Sequence, residues 1–278
     1  MGNASRRSAL FMAKHPMCCY CGGNTPTATE DHWPSRAIFD ERQWPEGYVF
    51  PACVQCNAAT ADDETLFAML CRINQDSITS KAKERTQKLI MAVKERYPEI
   101  YRSLRASSTD IKRYLRESDQ ELPTGKTTKD LPLLSLKHPE VHAVVLRCAA
   151  KLYLSLHYMH TGQPLPTSAG ILFRWFTNAT PIDNIPVLEI LPEITGFPEL
   201  KRQQTSLHNQ FNYRFGVMED KSASVFFVTF NNAMGMVGVA YRDIADAGDL
   251  PNDAIILRPF SSVGCGEART ASFACDAA

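Results

Sequence analysis

Apolar positions along this chain fall into a few runs with distinct periods. Beyond Asn57 comes AATADDETLFAMLCRI, where Leu66, Phe67, Leu70 and Ile73 recur at three- and four-residue intervals. That spacing lines one face of a helix, which is predicted from just past Asn57 to near Asn74. Thr60 three residues before Asp63 resembles a capping box. Asp62, Asp63 and Glu64 suit the positive end of a helix dipole. From Lys81 to Arg116, Leu89, Ile90, Val93 and Tyr97 mark a second helical face. Pro98 interrupts it, and a short helix is expected from about Asp110. Pro139 can open a further helix as its first residue. Val141, Val144, Val145, Cys148, Leu152, Leu156 and Met159 give that helix an apolar stripe to about His160, where Gly162 and Pro164 stop it.

The period then changes to two. Phe211, Tyr213, Phe215 and Val217 alternate with other residues, as in a half-buried strand. Residues 219–222 read as a turn. Val225 to Phe230 and Met236 to Ala240 supply two more strands, with Asn231-Asn232 between them. Val49 and Phe50, running into Pro51, form a short strand or turn. The pattern predicts an α+β chain: an antiparallel meander with helices packed on one face. Three regions are expected: residues 1–75, a basic helical connector over 76–130, and a C-terminal α+β region over 131–278.

Composition narrows the class. The chain has 278 residues, 44% hydrophobic and 22% charged, with zero formal net charge. That supports a real core and excludes a generally basic nucleic-acid coat, so any such binding must use a local patch. Lys81 to Arg116 is such a patch, with eleven Lys or Arg against four acids, an excess of +7 (11 − 4). It reads equally as a solvated helix face or as a phosphate-binding surface with Tyr97, Tyr101 and Tyr114 for stacking. Nine cysteines, five of them scattered, make a poor disulfide framework and fit a reducing compartment. No signal peptide, myristoylation pattern or membrane-length apolar run is expected, so the chain is read as cytoplasmic.

Chemistry concentrates near the N-terminus: CCYC at 18–21, EDH at 30–32 and CVQCN at 53–57. Cys18, Cys21, Cys53 and Cys56 form two Cys-x-x-Cys pairs, a ligand set that can close a tetrahedral Zn²⁺ site. Cys19 could replace Cys18, but Cys18 gives the two-residue gap. Asp31, His32 and Asn57 come from the two arms such a site would join. A carboxylate and an amide oxygen suit a hard cation such as Mg²⁺. A neutral imidazole can take a proton from water. Alternation turns Asp31 and His32 to opposite sides of a strand, and Trp33-Pro34 can bend the chain there.

The run CxxC, Asp-His, CxxC-Asn resembles the His-Me finger (HNH) nucleases, particularly the zinc-stapled endonuclease VII type, over roughly residues 17–75. The resemblance implies a ββα-metal fold and cleavage of nucleic acid, with DNA placed ahead of RNA, leaving 5′-phosphate and 3′-hydroxyl ends. By position, Cys18, Cys21, Cys53 and Cys56 would hold structural zinc. Asp31 and Asn57 would hold one catalytic Mg²⁺ or Mn²⁺, and His32 would be the general base. The family's usual company suggests phage defence or mobile elements. Two departures stand out. Tyr48 occupies the place of the buttressing Asn of many HNH motifs, and no His or Lys closely follows Asn57 as a further ligand. The alternative is a zinc ribbon that grips nucleic acid or protein without cutting. His138/His142 and His157/His160 read as capping or surface histidines rather than metal ligands. The aromatic strands from Phe211 to Phe230 read as a sheet core, with part of that face a candidate homodimer interface or substrate platform.

Overall fold

The computed structural model of the chain describes residues 3–73, 79–122, 124–131, 133–180, 185 and 194–261. Helix α1 (Asn3–Lys14) leads into the first cysteine pair. A hairpin of β1 (Thr29–His32) and β2 (Val49–Ala52) follows, paired antiparallel with Asp31 opposite Phe50. Helix α2 (Val54–Ala58) starts directly after β2 and carries Cys56 and Asn57. Next come α3 (Glu64–Leu70), α4 (Ser80–Arg96), α5 (Pro98–Ser103), α6 (Ser108–Glu117) and the long α7 (Pro139–Thr161). The main sheet is formed by β3 (Gly170–Thr177), β6 (Phe211–Val217), β7 (Ala223–Phe230), β8 (Met234–Tyr241) and β9 (Ile255–Leu257). A small hairpin of β4 (Lys201–Arg202) and β5 (Thr205–Ser206) precedes β6.

The five strands run in the order β6-β7-β8-β3-β9, all neighbours antiparallel. The meander β6-β7-β8 matches the alternation in the sequence. The period-2 argument does not reveal β3: GILFRWFT is a nearly continuous apolar run, and β3 pairs on both edges, with β8 and β9. Leu172 and Phe176 are only half-buried, so apolar residues on the less covered face mask the alternation that Ile171 and Phe173 make on the buried one.

Helix α7 is the centre of the molecule. It packs on α3 on one side and on β7, β8 and β9 on the other. Its stripe is buried from Val141 to His157. Tyr153 lies against Phe173 and Phe226 and directly over Gly238, where an added Cβ would come within 2.5 Å of its ring. Gly162 closes the helix at φ 72, the left-handed region that glycine enters without steric cost. One hydrophobic cluster runs from Cys18 through α7 to Leu257, so the N-terminal hairpin and the sheet share a core. Tyr48, at the buttress position, donates a 2.8 Å hydrogen bond to Tyr213 of β6 and helps join the two.

Three expectations are corrected. The helix predicted beyond Asn57 is two helices, α2 and α3, with turn between them; Asn74 lies outside the described residues. The Thr60–Asp63 capping box does not form: the Thr60 hydroxyl is used by Lys151, and both Asp63 oxygens accept from Arg147 at 2.7 and 2.8 Å. His157 and His160 are not surface residues: the first is fully buried, and the second stacks on Phe215. Among the described residues, no helix is long and apolar enough to cross a membrane.

Candidate functional site

The cysteines converge. The chain enters the first pair after an isolated bridge between Met17 and Pro26, and left-handed Gly22 and Gly23 turn it back towards β1. The second pair sits at the junction of β2 and α2, where the Cys53 side chain caps the helix by accepting from the Cys56 amide. The sulfurs of Cys18, Cys21, Cys53 and Cys56 all lie within 4.8 Å of one another, and all four residues are buried. A tetrahedral Zn²⁺ with bonds of about 2.3 Å separates its sulfurs by about 3.8 Å, so the cluster can hold a metal such as zinc. Hydrogen bonds from Cys18 and Cys56 hold the Cys21 thiol below its ordinary value, while donation to Cys21 pushes Cys18 up to about 11. Cys19 is buried outside the cluster, and desolvation raises its thiol. The scattered Cys71 and Cys148 are buried free thiols; Cys265 and Cys275 lie outside the described residues.

Of the three remaining motif residues, Asp31 and Asn57 both meet Lys151, while His32 lies against Trp44. Asp31 points inward and is 5% exposed. Its Oδ2 accepts from the Tyr20 hydroxyl at 2.8 Å and pairs with the Lys151 ammonium at 3.0 Å. Asn57 is on the same side of the hairpin, but its side-chain amide donates to Thr29 Oγ1 at 3.0 Å. Its backbone carbonyl faces Lys151 at 3.3 Å. These residues do not fit a divalent cation in this arrangement, because an ammonium already occupies the corner between them.

His32 is half-buried on the opposite side of the strand, as alternation requires. Its ring meets the edge of Trp44, centroids 5.1 Å apart. Trp44 carries two guanidiniums: Arg36 at 3.5 Å and Arg202, from β4, at 4.2 Å from the ring centroid. Burial, and then the neighbouring Arg36, hold the His32 imidazole below its ordinary pKa, so it is neutral at pH 7. Burial and the nearby Arg42 and Arg202 likewise lower Arg36. Among the described residues neither Arg36 nor Arg202 has a carboxylate within ion-pair distance. This face offers a neutral imidazole beside two cations held in place by an indole, a disposition suited to a phosphate group.

No protein-family model, curated protein or solved structure matches the chain.

The acids after Asn57 are structural. Asp62 pairs with Arg96, Asp63 with Arg147, and Glu64 accepts from Ser35 at 2.6 Å. Several cations of the basic stretch are likewise engaged. Lys81 pairs with Glu41, Arg85 donates to the Ala37 carbonyl, and Arg113 pairs with Asp110. Sequence reasoning missed Lys151, Arg36, Trp44 and Arg202. Only Lys151 had left a trace. It lies three residues after Cys148 and four before Ser155, on the buried stripe of α7, where a lysine requires an acidic partner.

Proposed function

We propose that the chain is an endonuclease of the His-Me finger type, acting on nucleic-acid phosphodiester bonds with His32 as general base. Cys18, Cys21, Cys53 and Cys56 hold a structural zinc that joins the hairpin to α2. The observation that carries this reading is the hairpin–helix unit gathered by four cysteines, with His32 at the end of its first strand beside Arg36 and Arg202. His32 takes a proton from water, and the hydroxide attacks phosphorus. The bond from phosphorus to the 3′ oxygen breaks, and that oxygen takes a proton from solvent. Arg36 and Arg202 share the charge that builds on the non-bridging oxygens, the electrostatic role that dominates such reactions. A catalytic Mg²⁺ or Mn²⁺ at Asp31 and Asn57 has no part in this scheme, since the Asp31 carboxylate is paired with Lys151 and the Asn57 side-chain amide is bonded to Thr29. DNA in phage defence or in mobile elements is the substrate setting we favour.

A second reading is a zinc module that grips nucleic acid without cutting it. The Asp31–Lys151 pair favours it, because it removes the oxygen ligand on which a metal-assisted mechanism would depend.

One experiment separates the two. Zinc-loaded protein and its His32→Ala variant are incubated with plasmid DNA, single-stranded DNA and structured RNA, in Mg²⁺, Mn²⁺ or EDTA. The nuclease reading expects cutting by the wild type alone, leaving 5′-phosphate ends. Absence of cutting on every substrate, with nucleic acid retained by both proteins, would establish the binding module instead.

A further inference from the structure

Lys151 is a rare object, a lysine whose side chain has no solvent exposure at all. It rises from the middle of α7 into the back of the N-terminal hairpin. Three oxygens of three chemical kinds meet its ammonium: the Asp31 carboxylate at 3.0 Å, the Thr60 hydroxyl at 3.1 Å and the Asn57 carbonyl at 3.3 Å. An ammonium has three protons to donate and no acceptor, so the oxygens match its donors one for one. The Trp33 ring lies 4.8 Å away and the Tyr20 ring 5.5 Å, both within reach of a cation–π contact. Tyr20 also steadies the carboxylate, and Ser155, one helical turn beyond Lys151, donates to the Tyr20 hydroxyl at 3.2 Å.

Carboxylate, carbonyl and hydroxyl oxygens are the donor set of a hard divalent cation. Here they come from β1, from α2 and from the turn after α2, the elements that would have to cradle such an ion. Their spacing is that of N–H···O bonds. Contacts of 3.0–3.3 Å are too long for Mg²⁺, which requires about 2.1 Å.

We propose that Lys151 is the module's own cation: its ammonium permanently fills the corner between Asp31 and Asn57, so the protein binds no divalent ion there. The charge that a dissociable ion would supply is built into the chain and delivered by α7. Lys151 acts as a positioning residue, since no solvent or substrate reaches it. It fixes Asp31, and through Asp31 the strand that ends at His32. The inference rests on the proposed reading only for the identity of the corner; ion binding is measured without reference to activity.

The test is a titration of the zinc-loaded wild type with Mn²⁺ to about 1 mM, followed by electron paramagnetic resonance, beside Asp31→Asn and Lys151→Gln. The wild type and Asp31→Asn should bind no Mn²⁺. Lys151→Gln removes the charge but keeps a hydrogen-bond donor. It should gain one Mn²⁺ per chain, and its melting temperature should rise with Mn²⁺ while that of the wild type stays fixed. Mn²⁺ binding by the wild type that Asp31→Asn abolishes would overturn the proposal. So would a folded Lys151→Gln that gains no ion. Should Lys151→Gln not fold, the wild-type titration decides alone. A chain that cuts nothing yet shows this pattern would sink the nuclease reading and leave the built-in cation standing.

Discussion

Arg36 and Arg202 show what single residues contribute that no local pattern announces. They are 166 positions apart (202 − 36) and meet on one indole. A planar guanidinium over an indole keeps its fork of donors, which a lysine cannot imitate. Replacing either by glutamine should weaken nucleic-acid binding and lower the slope of log affinity against log salt by about 1, as expected for one lost phosphate contact. Fluorescence anisotropy across a salt series measures it. An unchanged slope would place the nucleic acid elsewhere. Lysine at position 36 should recover only part of the affinity. The cysteine cluster was legible because its two pairs are close in sequence and chemically conspicuous; the surroundings of Asp31, His32 and Asn57 were not. Lys151 and Tyr20 reach Asp31, and Arg202 reaches Trp44 beside His32, only through tertiary packing.

At the scale of elements, the cysteine cluster ties β2 and α2 to the loop before β1, and each short piece is too small to persist alone. The hairpin strands have four residues each and α2 has five, well below what a helix or ribbon needs for independent stability. A metal bound here contributes its binding energy directly to folding. Cys18→Ser and Cys53→Ser should therefore each lose the zinc and unfold the hairpin. Cys19→Ser should keep one zinc per chain, because Cys19 is buried outside the sulfur cluster. Metal content after dialysis, with near-ultraviolet circular dichroism of the tyrosine- and tryptophan-rich module, distinguishes the three. Loss of zinc from Cys19→Ser with retention in Cys18→Ser would reverse the ligand assignment. The period of the sequence revealed the meander, where buried and half-buried positions alternate, and the start of α7; it did not show that the middle of α7 is buried all round, from Cys148 to His157. It concealed the break between α2 and α3, where Thr60 and Asp63 are recruited by Lys151 and Arg147 of α7 rather than by their own helix.

For the whole molecule, α7 sets the response to acid, because its two faces meet opposite chemistry. Towards the hairpin it presents Lys151, which is paired with Asp31 and satisfied. Towards the sheet it presents His157 and His160. His157 Nδ1 lies 2.8 Å from Ser224 Oγ, and among the described residues its Nε2 has no hydrogen-bond partner. His160 contacts the Tyr213 hydroxyl and stacks on Phe215. Burial pushes both histidines down to about 4, with Arg242 and His160 adding to the effect on His157. An unfolded histidine titrates near about 6.5, so between pH 6.5 and 4 the unfolded chain binds protons that the folded chain refuses. Stability must then rise with pH across that window and fall as pH is lowered through it. For the fully buried His157 the loss is on the order of 2 kcal/mol by pH 5. His157→Gln keeps a bond to Ser224 without a titrating group. It should lose less stability than the wild type between pH 7 and pH 5, whatever it loses at pH 7. The cysteine ligands also protonate in acid, but that contribution is common to both proteins and cancels in their difference. Urea midpoints at the two pH values give the answer. Equal losses in wild type and variant would show that His157 carries its proton inside the fold, and that the seam between α7 and the sheet tolerates a charge it has no acceptor for.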